Sequence, residues 1–286
     1  MTKILITAKD SQLSFSIQKI LSTNIEFHKI KFLALSHSQL DITNFNEVKK
    51  TIEEYKPSIV INCASFNAVD ECEIKFKKAY MVNGIGPKNL AITCSQHDCV
   101  LVHISTDYVF DGRKHAPYTI ADKPSPLSKY GESKLLGEEM VKYFCNKFFI
   151  IRTSWLFGKG EKNFLIKMLR LGKEKGFLKV ASDRISSPSF TDDVALALLK
   201  LTLSFNFGIY HITNTGFCSR YELIKYFFEK LNLDIKVIPA KEEEFKLPAR
   251  RPEFSALDNF PLQDIIGYNL PSWKEGVDRF IKEYMV

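Results

Sequence analysis

Cys99-Val-Leu-Val-His-Ile-Ser-Thr-Asp-Tyr-Val-Phe110, followed by Tyr130-Gly-Glu-Ser-Lys134, is the part of the chain from which the architecture can be read outward. Its first half is a short, continuous apolar run, the pattern of a strand covered on both faces. The run Leu127 to Lys142 holds little Pro or Gly to stop a helix, so Tyr130 and Lys134, one turn apart, project from one helix face. An ammonium one turn from a phenol favours the phenolate and lowers a pKa that is ordinarily about 10. Tyrosine then becomes a usable general acid. Thr106, at the end of the buried strand, adds a hydroxyl to a set able to surround a carbonyl oxygen that must gain a proton. A Tyr-x-x-x-Lys pair alone also arises on an ordinary helix surface, so the remaining residues have to support the chemistry.

They begin with a strand-turn-helix unit. Lys3 to Thr7 reads as a buried strand, and Gln12 to Leu21 has apolar residues at helical spacing. Strands at 31–35, 58–63, 99–104 and 148–153 alternate with helices at 45–55, 72–82, 87–96 and 127–142. Such alternation predicts an α/β fold, a Rossmann-type doubly wound parallel sheet covered on both faces. Ligands of these sheets lie beyond the strand C-termini, where Thr7, Ala64, Ser105 and Thr153 all fall. From Trp155 the pattern loosens. Helices at 163–171, 192–203, 219–231 and 273–284 and strands at 178–181, 208–212 and 235–239 surround a polar loop, 241–255, that carries Arg250-Arg-Pro252. We read residues 1–155 as a dinucleotide-binding domain joined by part of 185–212, and residues 156–286 mainly as a smaller, interleaved α/β C-terminal substrate lobe.

The 286 residues, 45% of them hydrophobic, are enough for a full core in one large or two smaller domains. No apolar run approaches the roughly 20 residues that span a bilayer, and the opening residues lack a signal peptide's apolar core. A cytoplasmic protein with no membrane partner is expected. Six cysteines form no Cys-x-x-Cys pair and six histidines no ligand spacing, so no metal is predicted. His103, inside an apolar strand, reads as a satisfied core residue. The net charge of +7 is spread along the chain and mixed with acids such as Glu242, Glu243 and Glu244, which does not indicate nucleic acid.

Nearly the whole chain resembles the dTDP-4-dehydrorhamnose reductases, a branch of the extended short-chain dehydrogenase/reductases that includes members of spore-coat polysaccharide pathways. The matching motifs, in order, include Leu40-Asp-Ile-Thr43, Val60-Ile-Asn-Cys-Ala64, Val82-Asn83, His103-Ile-Ser-Thr-Asp-Tyr-Val-Phe-Asp-Gly112, Tyr130-Gly-x-Ser-Lys134, Arg152-Thr-Ser-Trp155, Ser187-Pro188 and Ala249-Arg-Arg-Pro252. The resemblance implies an oxidoreductase that reduces the C4 keto group of a dTDP-4-keto-6-deoxy sugar with NADPH or NADH, in nucleotide-sugar and surface or spore-coat polysaccharide synthesis. It implies Thr106, Tyr130 and Lys134 as the catalytic set, with Lys134 also on the nicotinamide ribose. Cofactor contacts would come from Ser11, Gln12, Leu13, Ser36, Asp41, Ile42, Cys63, Ala64, Ser65, Tyr130 and Lys134. Substrate contacts would come from Thr106, Asp107 and Trp155, with Arg250 and Arg251 as candidates for the diphosphate because a planar fork matches phosphate oxygens. A homodimer is compatible with this reading.

The departure lies in the opening turn. Where the family carries Thr-Gly-x-x-Gly-x-x-Gly, this chain has Thr7-Ala8-Lys9-Asp10-Ser11-Gln12-Leu13-Ser14. Glycine there tolerates positive φ, admits the pyrophosphate and packs helix on strand. Asp10 also adds a negative charge near the expected phosphates. An alternative therefore stands beside the reductase: a catalytically lapsed member acting as a sugar-nucleotide-binding or partner-binding subunit. After the second strand, Leu35-Ser36-His37-Ser38 offers no acid for an adenosine ribose, which inclines the cofactor toward NADPH.

Overall fold

The computed structural model describes residues 2–160 and 163–285. β1 (Lys3–Thr7) passes through a tight turn into α1 (Gln12–Thr23), and β2 (Lys31–Leu35), α2 (Phe45–Tyr55) and β3 (Ile59–Asn62) follow. Next come α3 (Val69–Ile74), α4 (Phe76–Tyr80), α5 (Gly86–Gln96), β4 (Val100–Thr106), α6 (Lys129–Phe144) and β5 (Phe148–Thr153). β6 (Leu156–Phe157), α7 (Phe164–Lys175), β7 (Phe177–Ala181), β8 (Ile185–Ser186) and β9 (Ser189–Phe190) lead to α8 (Thr191–Leu203) and β10 (Gly208–His211). β11 (Cys218–Ser219), α9 (Arg220–Lys230), β12 (Lys236–Ala240), α10 (Leu262–Ile266) and α11 (Trp273–Tyr284) complete the chain.

Six parallel strands form the main sheet in the order β10-β5-β4-β3-β1-β2. The winding reverses between β1 and β3, the kind of switch point that opens a ligand crevice beyond the strand ends. Alternate strand residues serve opposite faces. Ile4, Ile6, Ile59, Ile61, Val100, Val102, Phe149 and Ile151 join the core under α1, α8 and α10. Their neighbours Leu5, Val60, Leu101 and Ile150 join the core under α2, α5 and α6. Feeding two cores is why each strand reads as an unbroken apolar run.

The C-terminal lobe has its own core of Phe157, Leu165, Phe190, Phe227, Trp273 and Phe280, beside the parallel pair β7 and β12. The chain leaves this lobe to add α8 and β10 to the main sheet and then returns, so the two parts are interleaved. No helix among the described residues is long and apolar enough to cross a membrane.

The helix expected over 72–82 is interrupted. Lys75, at φ −101° and ψ 42°, separates α3 from α4, and a π-helical turn, Met81–Ile85, then precedes α5. The wider turn carries Asn83 inward, a common use of π insertions near functional sites. Its carboxamide accepts from the Phe66 amide at 2.8 Å and donates to Ser133 Oγ at 3.0 Å, fixing the segment after β3 to α6.

α6 starts at the capping Ser128 and packs very closely. A Cβ on Gly131 would meet the Tyr108 carbonyl, and one on Gly137 the Asn83 carbonyl. Glu138, fully buried on the same helix, accepts from Ser105 Oγ at 2.5 Å, from Arg152 Nε at 3.0 Å and from Arg152 Nη2 at 2.7 Å. The triangle ties α6 to β4 and β5. Neutralising one member of a buried pair strands the other charge, so Glu138→Gln is expected to lower the unfolding free energy by about 3–5 kcal/mol. Urea denaturation would check it; a loss below about 1 kcal/mol, the scale of a surface pair, would contradict the role.

Candidate active site

A cavity of about 300 Å³ opens beyond the strand ends, between the main sheet and the C-terminal lobe. It brings together ten of the residues singled out in the sequence: Ser11, Gln12 and Leu13 from the start of α1, Cys63 and Ser65 after β3, Thr106 and Asp107 after β4, Tyr130 and Lys134 on α6, and Trp155. The strand ends supply the polar floor. Thr7 Oγ1 donates to Asn62 Oδ1 at 2.7 Å and accepts from the Ala64 amide at 3.1 Å, while Asn62 Nδ2 lies 3.1 Å from His103 Nδ1. Burial holds the His103 imidazole neutral, its pKa well below the usual value, and its Nε2 has no partner among the described residues, so it is only half satisfied.

Tyr130 is enclosed. Its ring meets Tyr108 edge-on at 5.6 Å, and its hydroxyl lies beside Thr106. Burial raises the phenol pKa; the Thr106 hydrogen bond pulls it down, and Asp107 and Tyr108 push it further up. The net shift is upward, the reverse of the lowering expected from Lys134. The physical reason is desolvation of the phenolate, to which the neighbouring Asp107 and Tyr108 add. Lys134 Nζ instead donates to the Ile104 carbonyl at 2.5 Å, and burial lowers its pKa to about 8, opposed by Glu138 and Cys63. The Cys63 thiol, pushed up to about 12 by burial, stays protonated and is a poor nucleophile.

Asp107 lies in the wall with its carboxylate already engaged. It accepts from Ser255 Oγ at 2.5 Å, Ser186 Oγ at 3.0 Å and Thr106 Oγ1 at 3.0 Å, and burial still raises its pKa to about 6. These bonds stitch the end of β4 to the C-terminal lobe. Trp155 is also held in an uncommon conformation, with φ at 41°, a backbone outlier of the kind that gathers at functional sites.

The other expected residues lie elsewhere. Ile42 is buried with its side chain against Gly86, and Asp41 Oδ1 caps the Thr43 amide at 2.9 Å. Ser36 follows β2, its hydroxyl 2.9 Å from Ser38 Oγ and its amide donating to Gln39 Oε1 at 3.0 Å. Ala64 serves through its amide. Arg250 and Arg251 are not brought into the crevice. They line a separate cavity of about 530 Å³, where Arg250 is exposed and Arg251 is tied to Asp70 at 2.7 Å and Glu242 at 3.2 Å. Sequence reasoning missed Arg220, which reaches the crevice from the start of α9. Only its place directly after the capping Ser219 was legible, and a cap says nothing of what the next side chain meets.

A family model described as "RmlD substrate binding domain" matches residues 1–286. The spore coat polysaccharide biosynthesis protein SpsK of Bacillus subtilis is 36% identical over 283 residues, 99% of this chain and 98% of that protein. A crystal structure of a dTDP-4-dehydrorhamnose reductase from Clostridium acetobutylicum superposes with a TM-score of 0.93 at 41% identity, covering 98% of this chain and 99% of that one. Another, from Bacillus anthracis and in complex with NADP, gives a TM-score of 0.93 at 37% identity, with coverage of 99% and 100%.

The start of α1 suits an anionic dinucleotide. The Gln12 and Leu13 amides belong to the first helical turn, which has no intrahelical acceptors. The turn holds no glycine, yet it enters the left-handed region. Ala8 sits at φ 53°, Ser11 Oγ caps the Ser14 amide at 3.3 Å, and Ser14 is buried at the helix–strand contact. A residue with Cβ in that conformation costs roughly 1–2 kcal/mol. Ala8→Gly is therefore expected to stabilise the protein by about 1 kcal/mol in equilibrium unfolding; a variant less stable than the parent would show that the strain is not there.

Proposed function

The chain belongs to the dTDP-4-dehydrorhamnose reductase family, and on that footing we propose that it reduces the C4 keto group of a dTDP-4-keto-6-deoxy sugar with NADPH or NADH. One observation carries this function: a protonated phenol, a threonine hydroxyl, a buried ammonium and a free helix N-terminus share a single crevice. When bound, the reduced nicotinamide supplies the hydride that the carbonyl carbon receives.

The chain's own residues would manage the proton and the positions. Tyr130, kept protonated by burial, is the donor to the C4 oxygen as that oxygen gains charge. Thr106, beside the phenol, would turn its single hydroxyl proton from Asp107 to the phenolate left behind. Lys134 would exchange the Ile104 carbonyl for the nicotinamide ribose, since a buried ammonium needs a matched acceptor. Ser11, Gln12 and Leu13 would meet the pyrophosphate, with Cys63, Ala64 and Ser65 along the dinucleotide. Asp41 and Ile42 would shape the adenosine side. At the end of β2, Ser36, Ser38 and Gln39 form a neutral polar group with no carboxylate to repel a 2′-phosphate, which favours NADPH.

Trp155 would lie against the sugar, and Asp107 would act by holding Thr106 in place. We assign the product to nucleotide-sugar supply for surface polysaccharide, a role supported by the spore-coat relative. The lapsed-subunit alternative rested on the glycine-poor turn, and no other feature of the crevice favours it.

Incubation with a dTDP-4-keto-6-deoxy sugar and NADPH or NADH should consume the reduced cofactor, read at 340 nm. Absence of turnover with both cofactors in excess would refute the assignment. Tyr130→Phe should lose about 10²- to 10⁴-fold in kcat while keeping the fold, the usual worth of a positioned proton donor; near-normal turnover would remove Tyr130 from the mechanism. Burial lowers the Lys134 pKa, so its charge is present below about pH 8 and lost above it. Turnover should accordingly fall as pH rises through about 8, whereas an alkaline limb beginning only near the ordinary lysine value of about 10.4 would contradict this.

A further inference from the structure

Arg220 is the first residue of α9, and its guanidinium carbon lies 4.8 Å from the Trp155 ring centroid and 4.9 Å from that of Phe164. Two aromatic faces thus hold a cation at the wall of the cavity that contains Tyr130 and Lys134. Arg152, Arg251 and Arg279 are each joined to a carboxylate. Arg220 forms no ion pair among the described residues, and its Nε is buried with no hydrogen-bond partner there. Withdrawing guanidinium donors from water is unfavourable unless they are matched, so a rigid, unmatched fork facing a cleft is the donor set of an anion site. Its charge is felt across the cleft: burial raises the Tyr108 pKa, and Arg220 opposes that rise. Asp70 is already held by Arg251.

We propose that Arg220 binds the diphosphate of the sugar nucleotide, with Trp155 and Phe164 fixing the plane of its guanidinium. The residue enters from the C-terminal lobe, whereas the dinucleotide phosphates belong to the start of α1. This assignment rests on the reductase reading for its substrate class. It also removes the need for Arg251 to leave two carboxylates in order to reach the substrate.

Two variants and two nucleotides test it. Arg220→Met keeps an unbranched stem against Trp155 and removes the charge; Arg220→Lys keeps the charge and loses the fork. Calorimetric titration of dTDP and dTMP into the NADPH-saturated protein should show dTDP binding at least about tenfold more tightly than dTMP, as expected for charge-assisted bonds to the second phosphate. Arg220→Met should abolish that preference and raise KM for the dTDP-4-keto sugar about tenfold or more, with little change in kcat, and Arg220→Lys should fall between. An unchanged dTDP preference in a folded Arg220→Met protein, failure of the parent protein to bind dTDP, or a change confined to NADPH affinity would each overturn the proposal. Failure of turnover in the parent protein would strike the reductase reading instead, leaving the dTDP and dTMP comparison to judge Arg220.

Discussion

The Glu138 carboxylate, fully buried, receives hydrogen bonds from Ser105 on β4 and from two nitrogens of Arg152 on β5. A charge in that position is tolerable only when its acceptor sites are filled, because desolvation alone costs several kcal/mol. Slipping α6 by one residue would rotate the carboxylate by about 100° and leave it unmatched. The register of the helix is thereby fixed, and Lys134 and Tyr130, one and two turns earlier on the same face, are fixed with it. Thr106 follows Ser105 directly, so the hydroxyl that meets Tyr130 is placed by the same contact. Arg152 is further held over the Phe110 ring at 5.0 Å.

Burial then sets the proton chemistry more than any pairwise charge does. It keeps Tyr130 protonated, lowers Lys134 to about 8 and raises Asp107 to about 6. The three shifts share one cause, withdrawal of the charged form from water. Tyr130 and Lys134 consequently both carry their protons at neutral pH, the state needed for a donor to a carbonyl oxygen and a cation for a ribose. Asp107 already accepts from Ser186, Ser255 and Thr106, three of the roughly four acceptor sites of a carboxylate. It links the two parts of the molecule and steadies Thr106.

The main sheet was legible because its strands serve two cores and therefore read as unbroken apolar runs, and the crevice was legible because its residues end those strands. The helix break at Lys75 and the π turn around Asn83 were not: no Pro or Gly stands at Lys75, and Gly84 inside the turn marks a close approach to Leu136 of α6 that only the packing reveals. Two-residue strands such as β8 and β11 are too short to carry a period. The direction of the Tyr130 shift was misread because spacing shows a neighbouring charge but not the depth at which the pair is buried. Arg250 and Arg251 looked like phosphate ligands by residue type; Asp70, distant in sequence, and Glu242, in the same loop, take Arg251. Arg220 had no motif around it.

Ala8, Ser11 and Ser14 stand in the opening turn where the resemblance implies glycines. The backbone has kept the left-handed turn at Ala8, and the serines have been absorbed as a helix cap and as a buried contact. Ser11, Gln12 and Leu13 at the start of α1 line the same crevice as Tyr130. Calorimetric titration of NADPH into the protein tests this most directly. Saturable binding at one site per chain, with a dissociation constant in the micromolar range or tighter, is the expected result; no binding of NADPH or NADH at millimolar concentration would contradict it.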